Sequence, residues 1–281
     1  MRLARVGDRG GERPVILDEA GAWSLPGDLG DLDGAFLARG GVHEVRRLAD
    51  EGRLTSLELA GRVGSPVARP GKVVCVGLNY RDHAHETGQA EPAEPILFLK
   101  GTDTVVGPYD EIVVPRGSTQ TDWEVELGVV VGRRMRYAES PEEALGHVAG
   151  YVLSHDVSER AFQFERGGQW DKGKCCETFN PLGPYLVTPD EAGDPQGLRL
   201  RLWVNGTLRQ DGSTANMIFS VAHLLWYISQ FMVLEPGDLV NTGTPAGVAH
   251  GHDDVAFLRA GDVVELDGGV LGAQRSVVGQ A

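Results

Sequence analysis

The chain has 281 residues, 41% of them apolar and 23% charged, enough for one large soluble domain or one domain plus a small one. Forty acidic residues against 26 basic ones give a formal charge of -14, a surface that repels nucleic acid phosphates and anionic lipid. That excludes nucleic acid and membrane partners as the first expectation; a small anionic substrate stays open, because local cations outweigh a distant field screened over about 10 Å.

Three cysteines without metal-type spacing point to a reduced, cytoplasmic protein. The first residues lack the apolar stretch of a signal peptide, and no window approaches the ~20 apolar residues of a membrane span.

In chain order, Leu3–Val6 and Val15–Leu17 predict a strand pair around a Gly-rich turn. Charged stretches and weak helices follow, up to the extended connector Ser65–Gly71, where Pro66 and Pro70 disfavour helix in their predecessors. A small N-terminal α+β domain over 1–70 and a catalytic domain over 71–281 are expected. Beyond Lys72, apolar runs at 72–76, 95–100, 111–114, 123–132, 150–155, 183–187, 198–205, 239–243 and 262–266 read as strands. Gly and Pro turns separate them, so the fold class is α+β, mostly β. Ser140-Pro141-Glu142-Glu143 predicts a capped helix, and the spacing of Met217, Ile218, Val221, Leu224, Leu225 and Ile228 predicts another over 214–230.

Asp122-Trp123-Glu124-Val125-Glu126-Leu127 is the first candidate for chemistry. In a strand, Trp123, Val125 and Leu127 point one way and Glu124 and Glu126 the other. An acidic edge strand and a metal site both fit, but the following Val129-Val130-Val131 puts the strand in the interior. Like charges there need a hard cation, Mg²⁺ or Mn²⁺. Asp156 ends another apolar run, either as a third ligand or as a helix cap. His155 beside it reads as a packing histidine. His83 and Glu86 are spaced to share one helical face, either as a general-base pair or as a solvated turn. Lys172 and Lys174 lie in a Gly-rich loop and either meet an anionic substrate or solubilise it. Asn241–Gly247 is an anion nest or an ordinary turn. His250-Gly251-His252-Asp253-Asp254 has no framework around it and reads as a mobile surface loop. Nucleophile elbow, zinc and dinucleotide patterns do not occur.

Assembled, residues 71–274 resemble the fumarylacetoacetate hydrolase family. The resemblance rests on Val76-Gly77-Leu78-Asn79-Tyr80 with Asp82-His83, Pro95–Lys100, Asp122–Leu127, Asp156-Val157-Ser158 and Lys172-Gly173-Lys174. It continues through Pro181–Pro184, Val204-Asn205-Gly206, Pro236-Gly237-Asp238 and Thr242–Pro245. It implies a mixed β-roll catalytic domain, a homodimer, and Mg²⁺ or Mn²⁺ held by Glu124, Glu126 and Asp156. It also implies a His83–Glu86 pair on a lid, a catalytic Lys174, and substrate contacts from Gln163, Thr244 and Tyr80. The stretch Val157–Gln163 and the 167–174 loop are similar to the branch that hydrolyses 2,4-diketo-3-deoxy sugar acids derived from L-rhamnonate or L-fuconate. The chain departs from that pattern at Ala161, at Cys175-Cys176-Glu177 and at His155. The expected reaction is metal-dependent hydrolytic C–C cleavage of a 2,4-diketo acid to pyruvate and a second acid. Oxaloacetate decarboxylation and isomerisation of an unsaturated 2-hydroxy acid are alternatives on the same site. A non-catalytic 2-keto acid binder is the alternative from another class, and the joint presence of His83, Glu86 and Lys174 argues against it.

Overall fold

A computed structural model describes residues 1–18, 20–252 and 254–281. Its largest element is an open, mixed ten-stranded sheet. From one edge to the other run Thr55–Leu57, Gly21–Ser24, Arg13–Asp18, Arg2–Val6, Leu186–Val187, Val148–His155, Val125–Val131, Leu239–Asn241, Val73–Gly77 and Ile96–Lys100. The N-terminal strands therefore continue the sheet that carries the central carboxylates, joined by Arg2 opposite Val187 and Leu3 opposite Leu186. A five-stranded sheet holds Ile112–Val114, Arg199–Val204, Thr207–Ser213, Val263–Asp267 and Ala273–Gln280.

Each face of the large sheet has its own core. Strand Val125–Val131 is buried along its whole length. Val125, Leu127, Val129 and Val131 pack with Trp123, with Leu200, Leu202 and Val264 of the five-stranded sheet, and with Val221 and Leu225. Val130 points the other way, into a core with Val152, Leu239, Cys75 and the N-terminal Leu3, Phe36 and Val45. That alternation is the period of two expected of a strand covered on both sides.

The helix expected over 214–230 is shorter in the structure. Thr214–Asn216 is a 3₁₀ turn, and the α-helix spans Val221–Phe231, with Ser220 as N-cap accepting from His223 N at 3.2 Å. Tertiary hydrogen bonds draw the intervening residues off the helix: Ile218 N donates to Asn79 O (2.7 Å) and Phe219 N to Asn79 Oδ1 (2.9 Å). The buried Met217 keeps its apolar role without being helical. At Pro141–Leu145, Ser140 caps as expected, but Glu143 accepts from Glu139 N rather than from the cap residue. Among the described residues, no helix is long and apolar enough to cross a membrane.

Candidate functional site

Glu124, Glu126 and Asp156 meet because two antiparallel strands end together. Glu126 lies opposite Ser154 and Val125 opposite His155. One step on, Asp156 N donates to Glu124 O at 3.0 Å, which extends the pairing beyond the ladder. Opposed residues share a face, so the three carboxylates converge, with one oxygen from each within 4.8 Å of the others. All three are buried. By the same register His155 faces the apolar side with Val125, and neither of its ring nitrogens has a partner.

Three buried cations surround the group. Arg160 donates to Glu124 Oε1 (2.7 Å), Asp122 Oδ2 (2.9 Å) and Gln163 Oε1 (3.1 Å). Lys174 Nζ donates to Glu124 Oε2 (2.7 Å) and Asp156 Oδ2 (2.9 Å). Lys100 Nζ bonds Asp156 Oδ1, the Val157 carbonyl (3.1 Å) and the Phe179 carbonyl (2.7 Å). Gly173 makes the Lys174 position possible: a Cβ there would lie 2.4 Å from Glu159 O. The short Asp171–Lys174 helix can therefore press against Arg160–Phe164.

The charges are unevenly shared. Burial raises the Glu124 pKa, but Lys174 and Arg160 outweigh it and bring it down to about 2. Among the described residues Glu126 has no cationic partner, only Gly243 N at 2.9 Å. Burial and the charges of Asp156 and Glu124 push its carboxyl well above the usual range. With every group ionised, Asp122, Glu124, Glu126 and Asp156 would exceed Arg160, Lys174 and Lys100 by one negative charge, and the raised Glu126 carboxyl is where that excess falls. An oxygen-only donor set with an uncompensated member fits a hard divalent cation, which would turn the site net positive, as an anionic substrate requires.

His83 and Glu86 sit on helix Arg81–Glu86, with Nδ1 3.4 Å from Glu86 Oε2. Glu86 also accepts from Gly247 N (3.0 Å) and His252 Nε2 (2.9 Å). Burial raises its pKa, but the bonds from His83, Gly247 and His252 lower it to about 2. His83, Glu124, Glu126, Gln163, Lys174 and Thr244 line one cavity of about 110 Å³. Phe98, Phe164, Trp170 and His250 give the same cavity an aromatic lining. Leu78, with φ of 52°, adds a strained backbone position to the rim. Larger clefts, of about 730 and 750 Å³, open around the N-terminal strands, but the Arg5, Arg62 and Glu12 charges of the first pair with one another.

Thr244 Oγ1 donates to Val125 O (2.9 Å) and accepts from Gln210 Nε2 (2.8 Å). Tyr80 is fully buried outside the cavity lining, and its hydroxyl has no partner. Lys172 turns outward to the Arg166 carbonyl, at 2.7 Å.

Sequence reasoning gave no role to Lys100, Arg160 or Asp122, and it set the two loop histidines aside as a surface loop. A signal existed for Arg160, which stands three residues before Gln163 on one helical face. Another existed for Lys100, a charge closing an apolar strand. The tract read as a mobile surface loop puts His250 on the cavity wall and His252 on Glu86, because the Pro245–Gly247 turn folds it back over helix Arg81–Glu86; Asp253 lies outside the described residues. Long-range packing of that kind leaves no local pattern.

Residues 72–279 match the family model described as fumarylacetoacetate (FAA) hydrolase, C-terminal. The chain is 49% identical to the 2,4-didehydro-3-deoxy-L-rhamnonate hydrolase of Sphingomonas sp. (strain SKA58) over 282 residues, covering 100% of this chain and 96% of that protein. Its fold is similar to a fumarylacetoacetate hydrolase from psychrophilic Exiguobacterium antarcticum, with a TM-score of 0.88, 34% identity and full coverage of both chains. It is also similar to the maleylpyruvate hydrolase of Sphingobium sp. SYK-6 in complex with manganese(II) and pyruvate, with a TM-score of 0.81, 28% identity and 100% of each chain covered.

Proposed function

The chain belongs to the fumarylacetoacetate hydrolase family, and on that premise we propose that it hydrolyses the C–C bond of a 2,4-diketo acid to pyruvate and a second carboxylic acid. A 2,4-diketo-3-deoxy sugar acid is the preferred substrate. The observation that carries the reading is the buried carboxylate group with one uncompensated member, of which Glu124 and Glu126 line the same cavity as His83, the partner of Glu86. The substrate named for the 49% identical relative supports the sugar-acid choice.

Glu124, Glu126 and Asp156 would hold a divalent ion, Mg²⁺ or Mn²⁺. When bound, it supplies positive charge for the keto-acid end of the substrate and for the enolate that develops there. Arg160 orients Gln163 and Glu124; Lys174 and Gln163 receive the substrate carboxylate end. Thr244, tied to Val125 O, offers its turn to the same end, and Tyr80 supports the helix that starts beside it.

His83 takes the proton. Its Nδ1 faces a carboxylate that accepts only, so Nδ1 carries hydrogen and Nε2 is free to act as base. Glu86 orients it rather than reacting itself, since its oxygens are already bonded and its pKa is about 2. Water deprotonated by Nε2 attacks the C4 carbonyl, the C3–C4 bond breaks, and its electron pair forms the pyruvate enolate. Protonation at C3 gives pyruvate and the second acid, balancing the one water consumed.

The reading extends to a homodimer, a cytoplasmic location, and a catalytic unit at 71–281 with a small N-terminal unit at 1–70. A pyruvate-release assay with added Mg²⁺ or Mn²⁺ tests the substrate, comparing 2,4-diketo-3-deoxy sugar acids, acylpyruvates, fumarylpyruvate and oxaloacetate. Diketo sugar acids are expected to turn over fastest; oxaloacetate outrunning every diketo acid overturns the assignment.

A further inference from the structure

A glutamate side chain ends in a torsion that is broad and two-fold, so a carboxylate holds one orientation only when both oxygens are engaged. Helix Arg81–Glu86 is six residues long, and the His83 Nδ1 to Glu86 Oε2 separation is 3.4 Å, a long contact. The helix by itself therefore does not lock the pair.

Two groups from far along the chain complete it. Gly247 N lies 3.0 Å from each Glu86 oxygen. Only glycine fits there, because a Cβ would fall 1.9 Å from Arg209 O and φ is 105°. His252 Nε2 lies 2.9 Å from Oε1, the oxygen His83 does not use. A carboxylate only accepts, so His252 donates. Two residues earlier, His250 stacks on Phe164 with centroids 4.9 Å apart and planes inclined at 24°. Phe164 ends the helix that carries Arg160 and Gln163. One turn thus ties the His–Glu pair to the helix beside the carboxylates.

We propose that His252 is a positioning residue for the His83–Glu86 pair, holding Glu86 Oε1 so that Oε2 presents to His83. The proposal rests on the reading of His83 as the base. Partners that orient a reacting or ligating group from behind are worth about 10–100-fold in activity. His252→Ala is expected to lower kcat within that range and leave KM unchanged. With a side chain 37% exposed, its loss is expected to leave the melting temperature in place. His252→Gln, whose amide donates at nearly the same reach, restores most of the rate.

The experiment measures kcat and KM for wild type, His252→Ala, His252→Gln and His83→Ala on whichever keto acid of the panel turns over. Spectra of protein labelled with ¹⁵N-histidine accompany it, to follow the His83 ring. Full kcat in His252→Ala, or equal loss in the Ala and Gln variants, overturns the proposal. So does an unmoved His83 resonance in His252→Ala. If wild type releases no product from any substrate, the functional reading fails while the His83 resonance still decides the positioning role. If His83→Ala is inactive and His252→Ala keeps the full wild-type kcat, the positioning role alone fails.

Discussion

Two clusters of ions, one at the N-terminal strands and one where strands Val125–Val131 and Val148–His155 end, are built differently. In the N-terminal cluster every carboxylate meets an arginine. Arg5 Nε reaches Asp31 Oδ1 at 2.6 Å, Arg62 Nη1 reaches Glu12 Oε1 at 2.7 Å, and Arg62 Nε reaches Asp110 Oδ1 at 2.7 Å. In the central cluster Glu124 and Asp156 are held by Arg160, Lys174 and Lys100, while Glu126 meets no cation. A cluster that joins segments satisfies its members. One suited to a ligand leaves an acidic group uncompensated in a place where that is expensive.

The largest effect expected from this difference is at Glu126. Glu126→Gln should abolish metal-dependent turnover, yet leave the metal-free protein as stable as wild type or more so, because it removes a repelled charge. Added Mn²⁺ should raise the melting temperature of wild type and not of the variant. A metal-free variant that melts well below wild type would mean that Glu126 is a structural group after all.

His83→Ala comes next, with a loss of about 10²–10⁴ in kcat, the usual worth of a general base. Manganese binding should be retained, as read by calorimetry; joint loss of binding and turnover would assign His83 to the ion rather than to the proton.

Glu12→Gln should behave oppositely to Glu126→Gln, costing about 1–3 kcal/mol in urea unfolding at pH 7 through weakened charged hydrogen bonds. Burial raises the Glu12 pKa, but the Arg62 hydrogen bond and Arg5 charge carry it below its ordinary value. A lowered folded pKa stabilises above the ordinary carboxylate range, and that contribution disappears as pH falls through the folded value. The gap between variant and wild type should therefore close in acid; a gap that widens would contradict the pairing.

The smallest effect is at His155. Burial and then the Lys100 charge hold its pKa down at about 3, leaving a neutral ring with both nitrogens unpartnered. His155→Leu should be neutral or stabilising by about 1 kcal/mol, with the carboxylate face untouched. A drop in metal affinity would place the ring on the wrong face of the strand.

What was legible beforehand followed from short-range rules. Period-two alternation put Glu124 and Glu126 on one face, helical spacing joined His83 to Glu86, and the order of motifs along residues 71–274 identified the family. The Ser140 cap was visible for the same reason. The 214–230 helix was only half legible, because Asn79 takes the hydrogen bonds of Ile218 and Phe219.

Long-range closure decided the rest. Lys100 and Asp156 are 56 residues apart, and Glu86 and His252 are 166 apart. A charge closing an apolar strand singles out Lys100, but neither that pattern nor the one around His252 encodes which distant group it meets. Strand and helix periods determine which way a side chain points from its own backbone. Which charges meet it there depends on how distant strands pair, and in this protein that pairing leaves Glu126 without a cation while giving Glu86 a second histidine.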